Sequence, residues 1–353
     1  MKIVVALLCV ALGGCATPLQ RVVDSAVAAP LAENRFAGVV LVARGDRVLF
    51  RKAYGLADRE QHIAHTPATR FMIMSVSKQF TAALIARLAV AGKLRLDDRV
   101  SKHLDHWPAE WDDVEIRHLL GHSSGLHIDT TYFWLVKHHP EYWPEWPAEP
   151  PAYEPHALVA APGTKYIYAN VGYTLLTMIA AKAAGRPFDE LLRDEVLRPL
   201  RLAHTVPERN GVRVPGRARG YIRANDGVKL KEQETIDIIG AGDVVSTVDD
   251  LARFDAAFDG DRFLPKPLRD EMLMPRVEGP RGASLGYGWF LRTTAGGRPL
   301  QFHHGHGAGF RAFNFRLPNE HLSIVVLSNI EETELPWLAP LIDRIAEVSA
   351  PRR

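Results

Sequence analysis

Phe71-Met-Ile-Met-Ser75-Val-Ser-Lys78-Gln-Phe-Thr-Ala-Ala-Leu-Ile-Ala-Arg-Leu-Ala-Val-Ala91 is the stretch on which the reading of this chain turns. The run after Phe80 is built of good helix formers and predicts a helix, with Ser75 and Lys78 at its start. Residues three apart on a helix share a face, close enough for their side chains to meet. A serine hydroxyl beside a lysine amine is a nucleophile with a base next to it, which is what forming an acyl-enzyme requires. Alone, the four residues Ser75-Val76-Ser77-Lys78 also fit a solvated helix face. Two further motifs downstream decide between these readings.

Tyr168-Ala169-Asn170 follows the turn residues Pro162-Gly163 and precedes apolar residues at 171, 175, 176, 179 and 180. That spacing is helical, so Tyr168 and Asn170 are expected on the loop that enters a helix. A tyrosine there can carry a proton to and from a serine if a neighbouring cation lowers its pKa. The alternative is an N-capping Asn170 beside a packed tyrosine. The third motif, Phe302-His303-His304-Gly305-His306-Gly307-Ala308-Gly309-Phe310, is expected between two strand-like segments, Arg298 to Phe302 and Arg311 to Leu317. Its glycines permit close backbone approach to a ligand.

With these motifs in order, the chain resembles the class C β-lactamase and penicillin-binding-protein superfamily of Ser-x-x-Lys serine hydrolases. His118-Leu-Leu-Gly-His-Ser-Ser-Gly-Leu126 is similar to the family's Leu-Leu-x-His-Thr-Ser-Gly-Leu. Pro162 to Asn170 matches its Tyr-x-Asn region, and Gly240 to Phe254 resembles its Gly-Gly-Leu-x-Ser-Thr segment. The likeness runs over roughly residues 33 to 348. It implies Ser75 as nucleophile, Lys78 as base and Tyr168 as proton relay, with Asn170 orienting substrate or Lys78. It also implies an oxyanion hole from the backbone amides of Ser75 and His306, and no cofactor. One departure stands out. Where β-lactamases and penicillin-binding proteins usually carry Lys-Thr-Gly, this chain has His303-His304-Gly305. Histidine is mostly neutral at pH 7 where lysine is a permanent cation. The resemblance then implies weak recognition of the β-lactam carboxylate and points to esterase-like members of the family, with His303 polarising Tyr168 or touching substrate. A β-lactamase or D-amino-acid-specific peptidase is the alternative, and an inactive cell-envelope binding lipoprotein is the reading from another class.

The composition is that of an ordinary globular enzyme, 353 residues with 47% apolar and 24% charged. Net charge is +2 and no long basic run occurs, so no nucleic-acid partner is expected. Residues 1–14 read as a lipoprotein signal peptide. A short positive start and an apolar run from Ile3 to Leu12 precede Leu12-Gly-Gly-Cys15, which resembles a bacterial lipobox. That implies diacylation of Cys15, a lipid anchor in the bacterial cell envelope and a body facing the periplasm. An ordinary signal peptide with an incidental cysteine is the alternative. Cys9 leaves with the leader, so no disulfide is expected.

Residues 15–32 read as a tether and 33–349 as the hydrolase domain. Phe36–Ala43 and Arg47–Ala53 form a hairpin signal across Gly45-Asp46. Helical periodicity dominates from Val76 to about Leu200, strands return from Phe290 to Leu327, and Leu335–Val348 is an amphipathic helix. The expected fold is α/β of the α+β type. An antiparallel sheet built from both chain ends (about 33–75 and 240–349) is flanked by helices, with an all-helical subdomain inserted at about 76–239.

Three other signals carry competing readings. The segment Tyr132–Pro155, rich in Trp, Tyr and Pro, reads as a cover over the acyl pocket, a membrane-facing patch or a packed excursion. Gly121-His122-Ser123-Ser124-Gly125 satisfies the Gly-x-Ser-x-Gly elbow. An elbow needs a buried strand before it, and Val114 to Leu120 looks helical. Of 15 histidines, the adjacent His303 and His304 point to opposite faces of a strand, which makes a shared metal ion difficult, and no metal is expected. The partner expected is a small-molecule ester, amide or peptide substrate.

Overall fold

The computed structural model describes residues 16–142, 157–209, 213–224, 227–231, 238–332 and 335–350. The expected leader, Cys15 and residues 143–155 of the aromatic segment lie outside the described residues.

Eight antiparallel strands make the main sheet. They are β1 Gly38–Arg44, β2 Arg47–Tyr54, β3 Val277–Glu278, β4 Ser284–Leu285, β5 Phe290–Thr293, β6 Pro299–Gly307, β7 Phe310–Leu317 and β8 Leu322–Ser328. Their order is β3-β4-β5-β6-β7-β8-β1-β2, so the two chain ends meet where β8 pairs β1, with Gly38 opposite Ser328 and Arg44 opposite Leu322. The expected sheet from both termini is present.

Alternation along these strands feeds two cores. One face, with Val40, Val42, Phe313, Phe315, Ile324 and Val326, packs under α1 Pro18–Ala32 and the C-terminal helix Leu338–Ser349. The opposite face, with Val39, Leu41, Ala312, Val325 and Leu327, packs under the catalytic-side helices. These include α2 Ser77–Val90, α3 Ile116–Leu120, α4 Ile128–His138, α5 Asn170–Ala184 and α6 Val248–Ala256.

Two boundaries differ from expectation. The stretch read as a tether is α1. Thr17 caps it by accepting the Gln20 N–H, Pro18 stands at its first turn, and Leu19, Val22, Val23 and Val27 bury against the sheet. Its alanines and polar residues are the outward face of an amphipathic helix, not a linker. The inserted part is also not all helical. Short strands Val206–Pro207, Tyr221–Ala224 and Gly227–Leu230 fall inside 76–239, while α6 and Lys266–Met272 are helices inside the supposed sheet part. Strands of two to four residues are too short to show a period of two.

The first ten residues of α2 have no solvent face: every residue from Ser77 to Ala86 is buried. The reading of a solvated helix face is thereby excluded. In the aromatic segment, Trp134 of α4 is fully buried edge-on to Trp107 (5.2 Å between centroids), and its Nε1 donates to the His106 carbonyl. The described part of that segment is packed structure.

A buried polar cluster ties α2, α6 and the sheet together. Asn314 Nδ2 donates to Gln79 Oε1 (3.0 Å) and to Asp255 Oδ1 (2.8 Å), and Ser323 Oγ donates to Asp255 Oδ2. Burial pushes the Asp255 carboxyl up to about 7, although Ser323, Arg316 and Asn314 all pull the other way. An unfolded aspartate titrates near 3.9. Between about pH 4 and 7 the folded chain therefore holds a proton that the unfolded chain has lost, and stability falls as pH rises through that window. Urea midpoints of Asp255→Asn should show a flatter pH dependence there than wild type. Equal slopes would place the charge of Asp255 outside the folding balance.

Candidate active site

Ser75 lies in a single 3-10 turn, Met74–Val76, that leads from the short strand Phe71–Met72 into α2. From Phe71 to Ala86 it is the one residue that is not buried. Met74 before it has φ +50°, a left-handed conformation rare for a residue with a side chain. Such strain persists only where the surroundings enforce it, and Met74 is 5% exposed within the main core.

Lys78 is wholly buried one turn on. Its Nζ lies 3.3 Å from Ser75 Oγ, and it donates to Asn170 Oδ1 (2.8 Å) and to the Ala241 carbonyl (2.7 Å). Burial drives its pKa well below the ordinary lysine value, against the pull of the Asp243 carboxylate. A neutral amine has two N–H donors and one lone pair. Asn170 and Ala241 take both donors, which leaves the lone pair for the Ser75 hydroxyl. A neutral Lys78 so placed can act as a base toward Ser75.

Tyr168 OH donates to Ser75 Oγ at 2.8 Å, and the Lys78 amine sits 4.8 Å from the centre of its ring. Its pKa is pushed up by burial and by the neighbouring Tyr166 and Tyr132, opposite to the expected lowering by a cation. Burial is the largest cause, and it outweighs the lowering pull of the Ser75 contact. Tyr168 is a protonated phenol at rest. Asn170 is the first residue of α5, with Ala169 at the cap and no capping bond from Asn170. Its side chain serves Lys78.

The histidine-rich motif is not a loop between two strands but the second half of β6. The β6–β7 hairpin turns through Ala308 (φ +50°) and Gly309 (φ +84°), the left-handed pair of a two-residue turn. In such a hairpin Gly307 and Phe310 form a hydrogen-bonded pair, and the pattern alternates from there. His306 and His304 then aim their backbone N–H and C=O away from β7, at an edge that β5 leaves open beyond Phe302. On one face this part of β6 packs against the Ser75 turn. A Cβ on Gly305 would stand 2.2 Å from the Ile73 carbonyl oxygen, so glycine is what lets β6 approach. The His306 amide therefore points to the open edge of β6 and not to β7. Its side chain points to the other face and pairs with Glu331 at 3.1 Å.

His303 shares the buried face with Gly305, and its Nδ1 is 2.9 Å from the His304 carbonyl oxygen. Nδ1 is then the N–H donor. Burial, His304 and Lys78 hold the ring neutral. His304 lies on the opposite face, stacked on Phe290 and Phe313. The two rings are divided between faces as expected. Among the described residues no hydrogen bond or ring contact joins His303 to Tyr168, so the polarising role gains no geometric support.

A family model described as Beta-lactamase matches residues 23–346. The chain belongs to the beta-lactamase family. Penicillin-binding protein 4* of Bacillus subtilis (strain 168) is 26% identical over 328 residues, covering 85% of this chain and 69% of that protein. The octameric penicillin-binding protein homologue from Pyrococcus abyssi superposes with a TM-score of 0.76 at 25% identity, covering 92% and 77%. A D-amino acid amidase from Ochrobactrum anthropi SV3, complexed with D-phenylalanine, gives 0.75 at 24% identity, covering 94% and 97%. Members of this family are in general hydrolases that use a serine.

The elbow reading of Ser123 fails on geometry. α3, not a strand, precedes it, and Ser123 is buried, although a helix does follow at Ile128. Sequence reading missed the Ala241 carbonyl as a support of Lys78. Gly240 beside it leaves no room for a side chain, since a Cβ there would stand 2.2 Å from Thr177 Cγ2. That glycine-flanked stretch was the available signal.

A guanidinium cannot give up its proton in a protein. Lys78→Arg should therefore lose activity like Lys78→Ala, by about 10²- to 10⁴-fold in kcat. An active arginine variant, measured with a chromogenic ester, would show that a cation and not a base is needed at this position.

Proposed function

We propose that the protein is a serine hydrolase that forms an acyl-enzyme on Ser75 and turns over esters and small amides in preference to β-lactams. The carrying observation is the paired contact to one oxygen: a phenol donating to Ser75 Oγ at 2.8 Å and the Lys78 amine 3.3 Å from the same atom. Ser75 attacks the carbonyl carbon and its proton passes to Lys78. The tetrahedral oxyanion is met by the amides of Ser75 and His306. Tyr168, protonated at rest, gives its proton to the leaving group and is reprotonated from the Lys78 ammonium. In deacylation the same groups act in reverse, taking a proton from water as it attacks the ester. An inactive binding protein would have no use for an amine buried and stripped of its charge, so this arrangement supports turnover.

Substrate preference follows from charge. The neutral His303 stands where the family usually carries lysine, and so supplies no ammonium for a β-lactam carboxylate. Each missing charge-assisted hydrogen bond is worth about 1.5–3 kcal/mol, which is roughly one to two decades in kcat/KM. Short acyl esters should be hydrolysed faster than cephalosporins by that margin, and His303→Lys alone should narrow the gap, because His304 faces away. A serine-directed phosphonate should label Ser75 and not Ser123 on mass mapping. A label on Ser123 would overturn the mechanism, and a wild-type preference for cephalosporins would overturn the substrate class.

The location proposed is the bacterial cell envelope, through a diacylated Cys15 and facing the periplasm. α1 begins at Pro18, three positions after that cysteine, so an anchored body would lie against the bilayer and not on a stalk. Cys15→Ser should move the protein to the soluble fraction or leave it as an unprocessed precursor. Unlipidated wild-type protein in the soluble fraction would refute the anchor.

A further inference from the structure

The segment Gly121–Gly125, which failed as a nucleophile elbow, does something else. Its backbone carbonyls hold the loop that carries the tyrosine. The Ile167 N–H donates to the His122 carbonyl at 2.8 Å, the Gly163 N–H to Ser123 at 2.7 Å and the Val159 N–H to Gly125 at 2.8 Å. His122 makes two more contacts with its side chain. The Ala169 N–H donates to His122 Nδ1 at 3.3 Å, and the imidazole lies against the Tyr168 ring, centroids 4.4 Å apart at 32°. One residue therefore touches three consecutive residues of the loop, with Tyr168 in the middle.

We propose that His122 is the positioning residue of this site: carbonyl, Nδ1 and ring together set the Tyr168 phenol on Ser75 Oγ. The proposal rests on the acyl-enzyme reading, because only then does the placement of that phenol control a rate. His122 has φ +52° and is 4% exposed. An Nδ1 that accepts from a backbone N–H leaves the proton on Nε2, so the imidazole must be neutral in this tautomer. Nε2 is buried with no hydrogen-bond partner among the described residues, an orphaned donor that the fold tolerates to keep the acceptor on Ala169. The titratable groups around the ring are Lys78 on α2, Tyr166 and Tyr168 on the loop, Tyr173 on α5 and His303 on β6. Burial and Lys78 both disfavour an imidazolium there. A charged ring would have no lone pair for Ala169 and would set a cation beside the amine.

Two substitutions tolerate the left-handed backbone and differ in chemistry. Asparagine adopts positive φ more readily than most residues and carries an oxygen close to the position of Nδ1, whereas glycine offers no side chain at all. With a chromogenic short-chain ester, His122→Gly should lower kcat by about ten- to a hundred-fold with KM within about threefold, the signature of a misplaced catalytic group. His122→Asn should recover most of that loss. A glycine variant with wild-type kcat, or an asparagine variant no better than a well-folded glycine one, overturns the proposal. Should His122→Gly melt below the assay temperature, the ¹⁵N-histidine spectrum of the wild-type protein decides. The His122 resonance should be that of the Nε2–H tautomer at neutral pH, and an Nδ1–H tautomer or an imidazolium overturns the assignment. Phosphonate labelling separates the two levels of failure. No label on Ser75 in wild type removes the acyl-enzyme reading itself. A normal Ser75 label with equal Asn and Gly kinetics removes only the role of His122.

Discussion

Everything in this site follows from the burial of one amine. Lysine is among the residues least often taken fully out of water, because an unpaired ammonium in a low-dielectric interior is very costly. Lys78 is fully buried in the first part of a helix whose residues from Ser77 to Ala86 are all buried. Among the described residues no carboxylate contacts the amine, and burial lowers its pKa well below the ordinary lysine value, which favours the neutral form. Once neutral, Lys78 needs two acceptors and offers one lone pair. The acceptors come from segments distant in sequence, Asn170 at the start of α5 and Ala241 in the loop before α6. The helical part and the second half of the sheet part are thus fastened to one nitrogen atom.

The same constraint explains where the sheet sits. A lone pair aimed at Ser75 is useful only if a carbonyl can reach that oxygen and its developing charge meets N–H groups. β6 presents backbone N–H groups along an open edge because β5 stops pairing at Phe302 while β6 continues to Gly307. Gly305 lets β6 lie against the Ile73 carbonyl, and strained Met74 turns the chain so that Ser75 alone is uncovered. Four features that look unrelated along the chain (an early strand stop, a glycine, a left-handed methionine, a buried helix start) serve a single geometry.

What was legible in the sequence was whatever depends on residue type at short spacing. Ser75 and Lys78 declare themselves because helical period puts positions three apart together, and the β1–β2 hairpin because Gly45-Asp46 separates two β-rich runs. The third motif was legible in composition but misplaced in structure, because glycine and histidine lower strand propensity while the open edge of β6 needs them. α1 was readable in principle from Thr17, Pro18 and the spacing of Leu19, Val22, Val23 and Val27, and was hidden by its small outward residues. Backbone groups leave no such mark. The Ala241 carbonyl and the His122 carbonyl act through positions whose side chains do not announce them. The raised pKa of Tyr168 was likewise out of reach, since burial of the phenol in the folded chain sets it.

The histidine at position 303 bears on this last point. A Lys-Thr-Gly version of the motif sets a permanent cation near the base, and a second positive charge helps keep the first amine neutral. Here His303 is neutral, and the depression of Lys78 rests on desolvation alone, with Asp243 working against it. The basicity of Lys78 is therefore coupled to how well α2, α5 and the tyrosine loop exclude water. In such a site, packing around the amine is a catalytic variable: a cavity opened beside Lys78 that admitted water would return its charge and remove its lone pair. The aromatic enclosure of Lys78 by Tyr168 and Tyr173, with His122 packed against both rings, is then part of the base itself.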